Sequence, residues 1–235
     1  MQDMVHGAWI ILVYFVIAAS VMLTLRRLVR IPDELFRKIL HFVLMGSYLL
    51  FASVFERWQT PVMLCAALIV IIYPLLFLAE RIPGFSRFVN ERASGEFKRS
   101  MVLAFLMLGV CIAVCWGWLG ERYFGVACMY AWGVGDAFAA LVGKRFGRHK
   151  ITWRLADHRK SVEGSAAMMA TSAIAVLLVM LLDGQPPVVA IAAALAGAGA
   201  ATVVEMMTPN GMDTVTCPVA AMTVMIPLTA LLGGF

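Results

Sequence analysis

Eight stretches of mostly apolar residues decide what this chain can become. They fall at about 8–25, 37–55, 61–79, 101–119, 123–142, 163–182, 187–206 and 214–233. A helix needs about 20 apolar residues to cross roughly 30 Å of hydrocarbon. Within hydrocarbon every backbone N–H and C=O must be satisfied inside the segment, which a helix does. The expected fold is all-α, a polytopic integral membrane protein of eight transmembrane helices. The second and fifth stretches are the least apolar, and the count drops to seven if one of them lies at the interface. Composition agrees: of 235 residues 62% are hydrophobic and 14% charged, with a mean hydropathy of +0.89. A water-soluble domain of that size does not carry so apolar a composition.

The five cysteines, Cys65, Cys111, Cys115, Cys128 and Cys217, all fall within or beside apolar stretches. Their spacing has neither a metal-type pair nor a disulfide framework, so they read as small packing residues. Met1–Gly7 lacks the basic start of a cleavable signal, so the first stretch is expected to stay as a helix.

The basic residues orient the spans. Of the 19 Lys and Arg, only Arg57 and Arg122 lie outside three loops. Loop 26–38 holds Arg26, Arg27, Arg30, Arg37 and Lys38; loop 81–99 holds Arg81, Arg87, Arg92, Lys98 and Arg99. Loop 144–160 holds Lys144, Arg145, Arg148, Lys150, Arg154, Arg159 and Lys160. Cytoplasmic loops carry the excess of Lys and Arg, so these loops are expected in the cytoplasm and both termini outside. The net charge of +5 is then accounted for by topology and anionic headgroups, not by nucleic acid.

With that topology four carboxylates reach one depth. Asp136 lies late in the fifth span, Glu163 opens the sixth, Glu205 closes the seventh and Asp213 opens the eighth. Charge at membrane depth is costly unless it is paired or bound to an ion. Carboxylates hold Mg²⁺, which takes substrate phosphates as further ligands, and Arg and Lys hold phosphate oxygens. Acids and cations together at headgroup depth describe a site for a nucleoside triphosphate. Positioning and charge neutralisation are most of what phosphoryl transfer requires.

Gly135, Ala139 and Gly143 recur every four residues, a spacing that lets helices approach closely. Alternatively, Gly143 and Gly147 free backbone N–H groups to face a phosphate. "LVGKRFG" is not a Walker A loop, because Arg145 follows Lys144 where Ser or Thr is needed.

"GDAFAALVGKRFGRHKI" followed by "RKSVEGSAAM" resembles the phytol kinase and dolichol (polyprenol) kinase family, membrane kinases that commonly use CTP. The matching positions are Gly135, Asp136, Gly143, Lys144, Phe146, Gly147, Lys160, Ser161, Gly164 and Ser165. A second block, "ATVVEMMTPNGMDTVTCPVA", is similar to the family's A-x-x-E, gap, D-N-x-x-x-P pattern through Glu205, Asp213 and Pro218. Thr214 stands where the family usually has Asn. "RKILHF" from Arg37 and "GEFKRSMVL" from Gly95 are fainter matches, and the resemblance spans about residues 34–235.

One transmembrane domain over 1–235 is the expectation for this length, with an N-terminal three-helix part at 1–80 and a catalytic core carrying the motifs at 100–235. The resemblance implies transfer of the γ-phosphate of CTP, or another nucleotide, to phytol, geranylgeraniol or a polyprenol, with Mg²⁺ as cofactor. Asp136, Lys160, Glu163 and Asp213 are the expected catalytic residues, with Glu163 a metal ligand or a base. Asp136, Glu205 and Asp213 are the expected metal ligands. Gly135, Gly143, Lys144, Arg145, Gly147, Arg159, Ser161, Gly164 and Thr214 are expected at the nucleotide. The alcohol keeps its tail in the bilayer while the nucleotide arrives from water, so the two meet at the cytoplasmic interface.

Other classes remain open at this point. CTP-dependent diacylglycerol kinases of the yeast type share the GD and KS blocks. A phosphatidate cytidylyltransferase would transfer a cytidylyl group, but its signature ends in a Gly- and His-rich stretch leading to D-R, and this chain has four histidines, at 6, 41, 149 and 158. An ion-coupled transporter would place its charges near the midplane, in broken helices.

Overall fold

The computed structural model describes residues 2–85, 95–153, 156–158, 160–208 and 211–234. Eight helices are long and apolar enough to cross a membrane, matching the expected count. They are α1 (Gln2–Leu28), α2 (Asp33–Val54), α3 (Gln59–Ala79), α4 (Glu96–Cys111), α5 (Phe124–Phe146), α6 (Val162–Leu182), α7 (Pro187–Met207) and α8 (Asp213–Leu231). α4 runs on as a wider π-helical segment, Ile112–Trp118. There the Leu119 N–H reaches back five residues to Val114 O (3.2 Å), and the Glu121 N–H reaches six to Cys115 O (2.8 Å). The sequence reading ran a plain helix through 101–119. A period-3.6 apolar pattern does not register one wider turn when nearly every side chain there is apolar.

The second and fifth spans are the least apolar of the eight, as expected. In α5 the compensation is burial: 61% of its most apolar window is covered by protein, the largest share of any span. A helix sheltered by other helices can carry a carboxylate and glycines that lipid contact would penalise.

The chain divides into two compact units, Met1–Ala113 and Val114–Phe235. The expected division, between residues 80 and 100, lies upstream of this boundary. In the first unit α3 packs on α4, and α1 on α2. The Tyr14 hydroxyl donates to Val43 O at 2.6 Å, and Phe51 stacks at a tilt near Phe55 and Phe105, with centroids 6.1 and 6.3 Å away. Lys98 pairs with Glu80 at 2.7 Å and lies over the Tyr73 and Phe77 rings.

The second unit holds every helix that carries the main motifs. α5 packs on α6, α7 and α8, while α6 with α7 and α7 with α8 form antiparallel hairpins. All five cysteines are buried and none is in a disulfide, as packing residues should be.

Candidate functional site

The site is built where α5 ends and α6 begins. Gly143 on α5 faces Gly164 on α6: a Cβ added at Gly143 would stand 3.5 Å from Gly164 Cα. One added at Gly164 would stand 3.3 Å from Gly143 Cα and 2.9 Å from Ala139 O. About two turns deeper along α5, a Cβ on Gly135 would meet Met168 Cγ at 2.8 Å, beside Ser172, whose hydroxyl donates to Ala131 O at 2.5 Å. Of the two readings of these glycines, close helix approach is the one the geometry displays. Gly164→Ala should therefore cost about 1–3 kcal/mol, since its new methyl meets backbone that cannot rotate away. Thermal unfolding in detergent measures this; an unchanged midpoint would show that the crossing is slack.

Gly147 ends α5, with its N–H donating to Gly143 O at 3.1 Å. The chain then returns to α6 through a short antiparallel bridge between Lys150 and Ser161. Ile151 N–H donates to Lys160 O (3.2 Å) and Val162 N–H to His149 O (2.9 Å). Ser161 caps α6, its Oγ accepting from Gly164 N–H at 3.2 Å. These bonds take up the Val162 and Gly164 N–H groups, so the helix start does not offer both to an anion, as a bare N-terminus would. Positive charge reaches the site through a side chain instead. The loop is tied to α7 by Asp157 N–H, which donates to Met206 O at 2.9 Å, and Lys160 N–H bonds Asp157 O at 2.9 Å. Lys160 is thereby carried to the end of α7, where it forms an ion pair with Glu205 and also donates to Glu205 O at 2.8 Å.

Glu205 is 4% exposed. Asp136 on α5 and Asp213 at the start of α8 lie close enough for their charges to repel it. Asp213 accepts from the Trp132 indole N–H at 3.1 Å. Trp132 lies one turn before Asp136, so α5 lines this cluster with two side chains. Buried Thr214 donates to Gly211 O at 3.4 Å, and the Thr208 and Thr216 hydroxyls are 3.0 Å apart beside the acids' helix ends. Among the described residues, no three or more His, Cys, Asp or Glu are grouped so that they could hold a metal ion together.

Asp136 and Asp213 lie within electrostatic reach of Glu205, which pairs with Lys160. The structure gives Glu163 a different neighbour: its carboxylate accepts from His149 N–H at 3.2 and 3.3 Å and lies 2.7 Å from His149 Nδ1. Placing all four acids at one depth was a statement about the helix axis, whereas the direction of each side chain depends on what packs around it. Lys144 and Arg145 lie on the exposed last turn of α5, Arg145 over the Phe146 ring at 5.4 Å. Arg159 lies outside the described residues, as do Arg87, Arg92 and Arg154. Sequence reasoning missed Trp132 and His149. The i,i+4 spacing of Trp132 and Asp136 was a usable signal; nothing in the sequence marked His149 as the partner of Glu163.

Eight apolar helices, four of which bring acids and a cation near one another, describe a multi-pass membrane protein with a polar cluster. The chain belongs to the cytidylyltransferase family, which it matches over residues 3–235 and which includes CTP-dependent lipid enzymes of the polyprenol and phytol kinase type. No curated protein and no solved structure matches the chain. Membership makes it a transferase that uses CTP and a membrane lipid.

Proposed function

We propose that this enzyme is a lipid kinase that moves the γ-phosphate of CTP to the hydroxyl of a membrane-embedded isoprenoid alcohol. The observation that carries this reading is the delivery of Lys160 to Glu205, beside Asp136 and Asp213. An ammonium has three N–H donors. Two go to the oxygens of Glu205, and the third serves a phosphate oxygen of CTP. Arg145 and Lys144, exposed on the last turn of α5, hold the outer phosphates. The alcohol oxygen attacks the γ-phosphorus, the bond to the β,γ-bridging oxygen breaks, and CDP leaves with that electron pair. The alcohol proton passes to the Asp136 carboxylate.

The donor set fits Mg²⁺, which prefers hard oxygens and one or two carboxylates, with waters and phosphates filling its other positions. One or two of Asp136, Glu205 and Asp213 would hold it, with phosphates and waters as its other ligands, and when bound it would supply neutralisation of charge on the phosphates. Thr214 offers a hydroxyl in place of the carboxamide usual in the family. Glu163, held by His149, fixes the turn that leads to Lys160.

Purified enzyme with labelled CTP and a panel of lipid alcohols tests the reaction. Release of CDP with a phosphorylated lipid is expected, and release of pyrophosphate with a cytidylylated lipid would overturn the kinase reading. The site should face the cytoplasm, as the basic loops require. Arg148 is exposed while the native cysteines are buried, so Arg148→Cys should be labelled by an impermeant thiol reagent from the cytoplasmic side alone. Labelling from the opposite side would reverse the topology.

A further inference from the structure

We infer that the hydroxyls of Ser165 and Thr202 form the subsite that receives the hydroxyl of the lipid substrate, just inward of the charged cluster. This inference rests on the kinase reading for its choice of substrate.

Hydroxyls inside apolar helices ordinarily bond back to the carbonyl four residues earlier. In this chain Ser53 does so to Leu49 O (2.7 Å), Thr171 to Ala167 O (2.8 Å) and Thr208 to Val204 O (2.7 Å). Ser165 and Thr202 do not. Both are buried, at 8% and 7% exposure, and neither side-chain oxygen has a hydrogen-bond partner. The Ser161 carbonyl is within local reach of Ser165 and accepts from its backbone N–H at 3.0 Å. A buried hydroxyl with no partner carries an uncompensated desolvation cost.

Both residues are placed for the chemistry. Ser165 lies three residues into α6 and Thr202 five residues before the end of α7. At 1.5 Å per residue these are about 4.5 and 7.5 Å inside the helix ends that bear Lys160 and Glu205. α6 and α7 pack against each other. On α6, Ser165 falls between the level where Gly164 meets Gly143 and the level where Met168 meets Gly135, next to Asp136. On α7, Thr202 lies on the same face as Glu205, three residues away. An amphiphile whose tail stays among the helices brings its hydroxyl to this depth. One enzyme hydroxyl donates to the substrate oxygen, leaving a lone pair for attack, while the substrate O–H points to Asp136. A free nucleotide would meet Lys160 before reaching these atoms.

The shared chemistry is a lipid-borne hydroxyl, which an isoprenoid alcohol or a diacylglycerol can supply. Ser165→Ala and Thr202→Val remove the hydroxyls at nearly constant volume. With geranylgeraniol and, separately, diacylglycerol in mixed micelles, each change should raise the KM for the lipid that is turned over by about 3- to 10-fold, the worth of a neutral hydrogen bond. The KM for CTP should stay within about 2-fold of wild type, because Lys160 and the acids are intact. The unfolding midpoint should hold or rise, since a buried group without a protein partner is removed. Ser165→Thr and Thr202→Ser should restore the lipid KM. A midpoint increase on adding the lipid without CTP should shrink in both hydroxyl-less variants, and the lipid that produces it identifies the source. Product analysis is independent: pyrophosphate release with a raised lipid KM sinks the kinase reading and keeps the subsite. Unchanged lipid KM, a raised CTP KM instead, a fall in midpoint that accounts for lost activity, or no lipid-dependent stabilisation of the wild type each overturn the subsite.

Discussion

Asp136→Asn is expected to lower kcat by about 10²–10⁴-fold, the range for loss of a group that accepts a proton in the transition state. The carboxamide keeps the size and shape of the side chain and removes a like charge, so the folded yield should match wild type and the unfolding midpoint should hold or rise. Asp136 is half-buried in the span best covered by protein and close enough to repel Glu205. Like charges gathered in a poorly hydrated place destabilise a fold, a cost that the proposed chemistry accounts for. Retention of activity within a few-fold would make Asp136 a tolerated helix residue and remove the centre of the proposed site. Because the same carboxylate would help hold Mg²⁺, the variant should also need more Mg²⁺ for half-maximal rate, and chelation with EDTA should silence the wild type.

Lys160→Ala should have two effects that can be separated. Loss of one preorganised electrostatic contact lowers kcat by at least ~100-fold. The change also leaves Glu205, 5% exposed at its side chain, without its cation. Breaking a buried pair on one side costs about 3–5 kcal/mol. Replacing both members by apolar residues is far less costly, because no buried charge is stranded. Lys160→Met with Glu205→Leu should accordingly recover most of the midpoint and none of the activity. Recovery of activity along with the midpoint would show that the pair is structural. Arg148→Ala and Lys150→Ala, on exposed positions of the same loop, should cost little. Equal, mild losses at Arg145, Arg148, Lys150 and Lys160 would instead describe a diffuse contact with headgroups.

The membrane class and the eight helices were legible because hydrocarbon imposes a length and a composition on every span. The sixth and seventh spans were read within a residue or so of α6 and α7. The motif blocks pointed to Asp136, Glu205, Asp213 and Lys160 by type and spacing. At Gly143, where the spacing left packing or phosphate open, what the structure displays is close packing: Gly143 and Gly164 lie against each other's backbone. The π-helical end of α4 left no mark in a run that is apolar on every side.

Period and composition act along one helix, and they determined which residues enter the bilayer and at what depth each acid lies. Pairing acts between helices. Lys160 and Glu205 are far apart in sequence, and they meet because Asp157 bonds Met206 and the Lys150–Ser161 bridge sets the loop's path. Glu163 shares their depth but turns to His149, since a carboxylate goes to the nearest donors that packing leaves within reach. Depth was therefore a property of the sequence, whereas the choice of partner at that depth belonged to the tertiary structure, because hydrogen bonds and ion pairs are fixed over about 3 Å and no one-dimensional pattern resolves so short a distance.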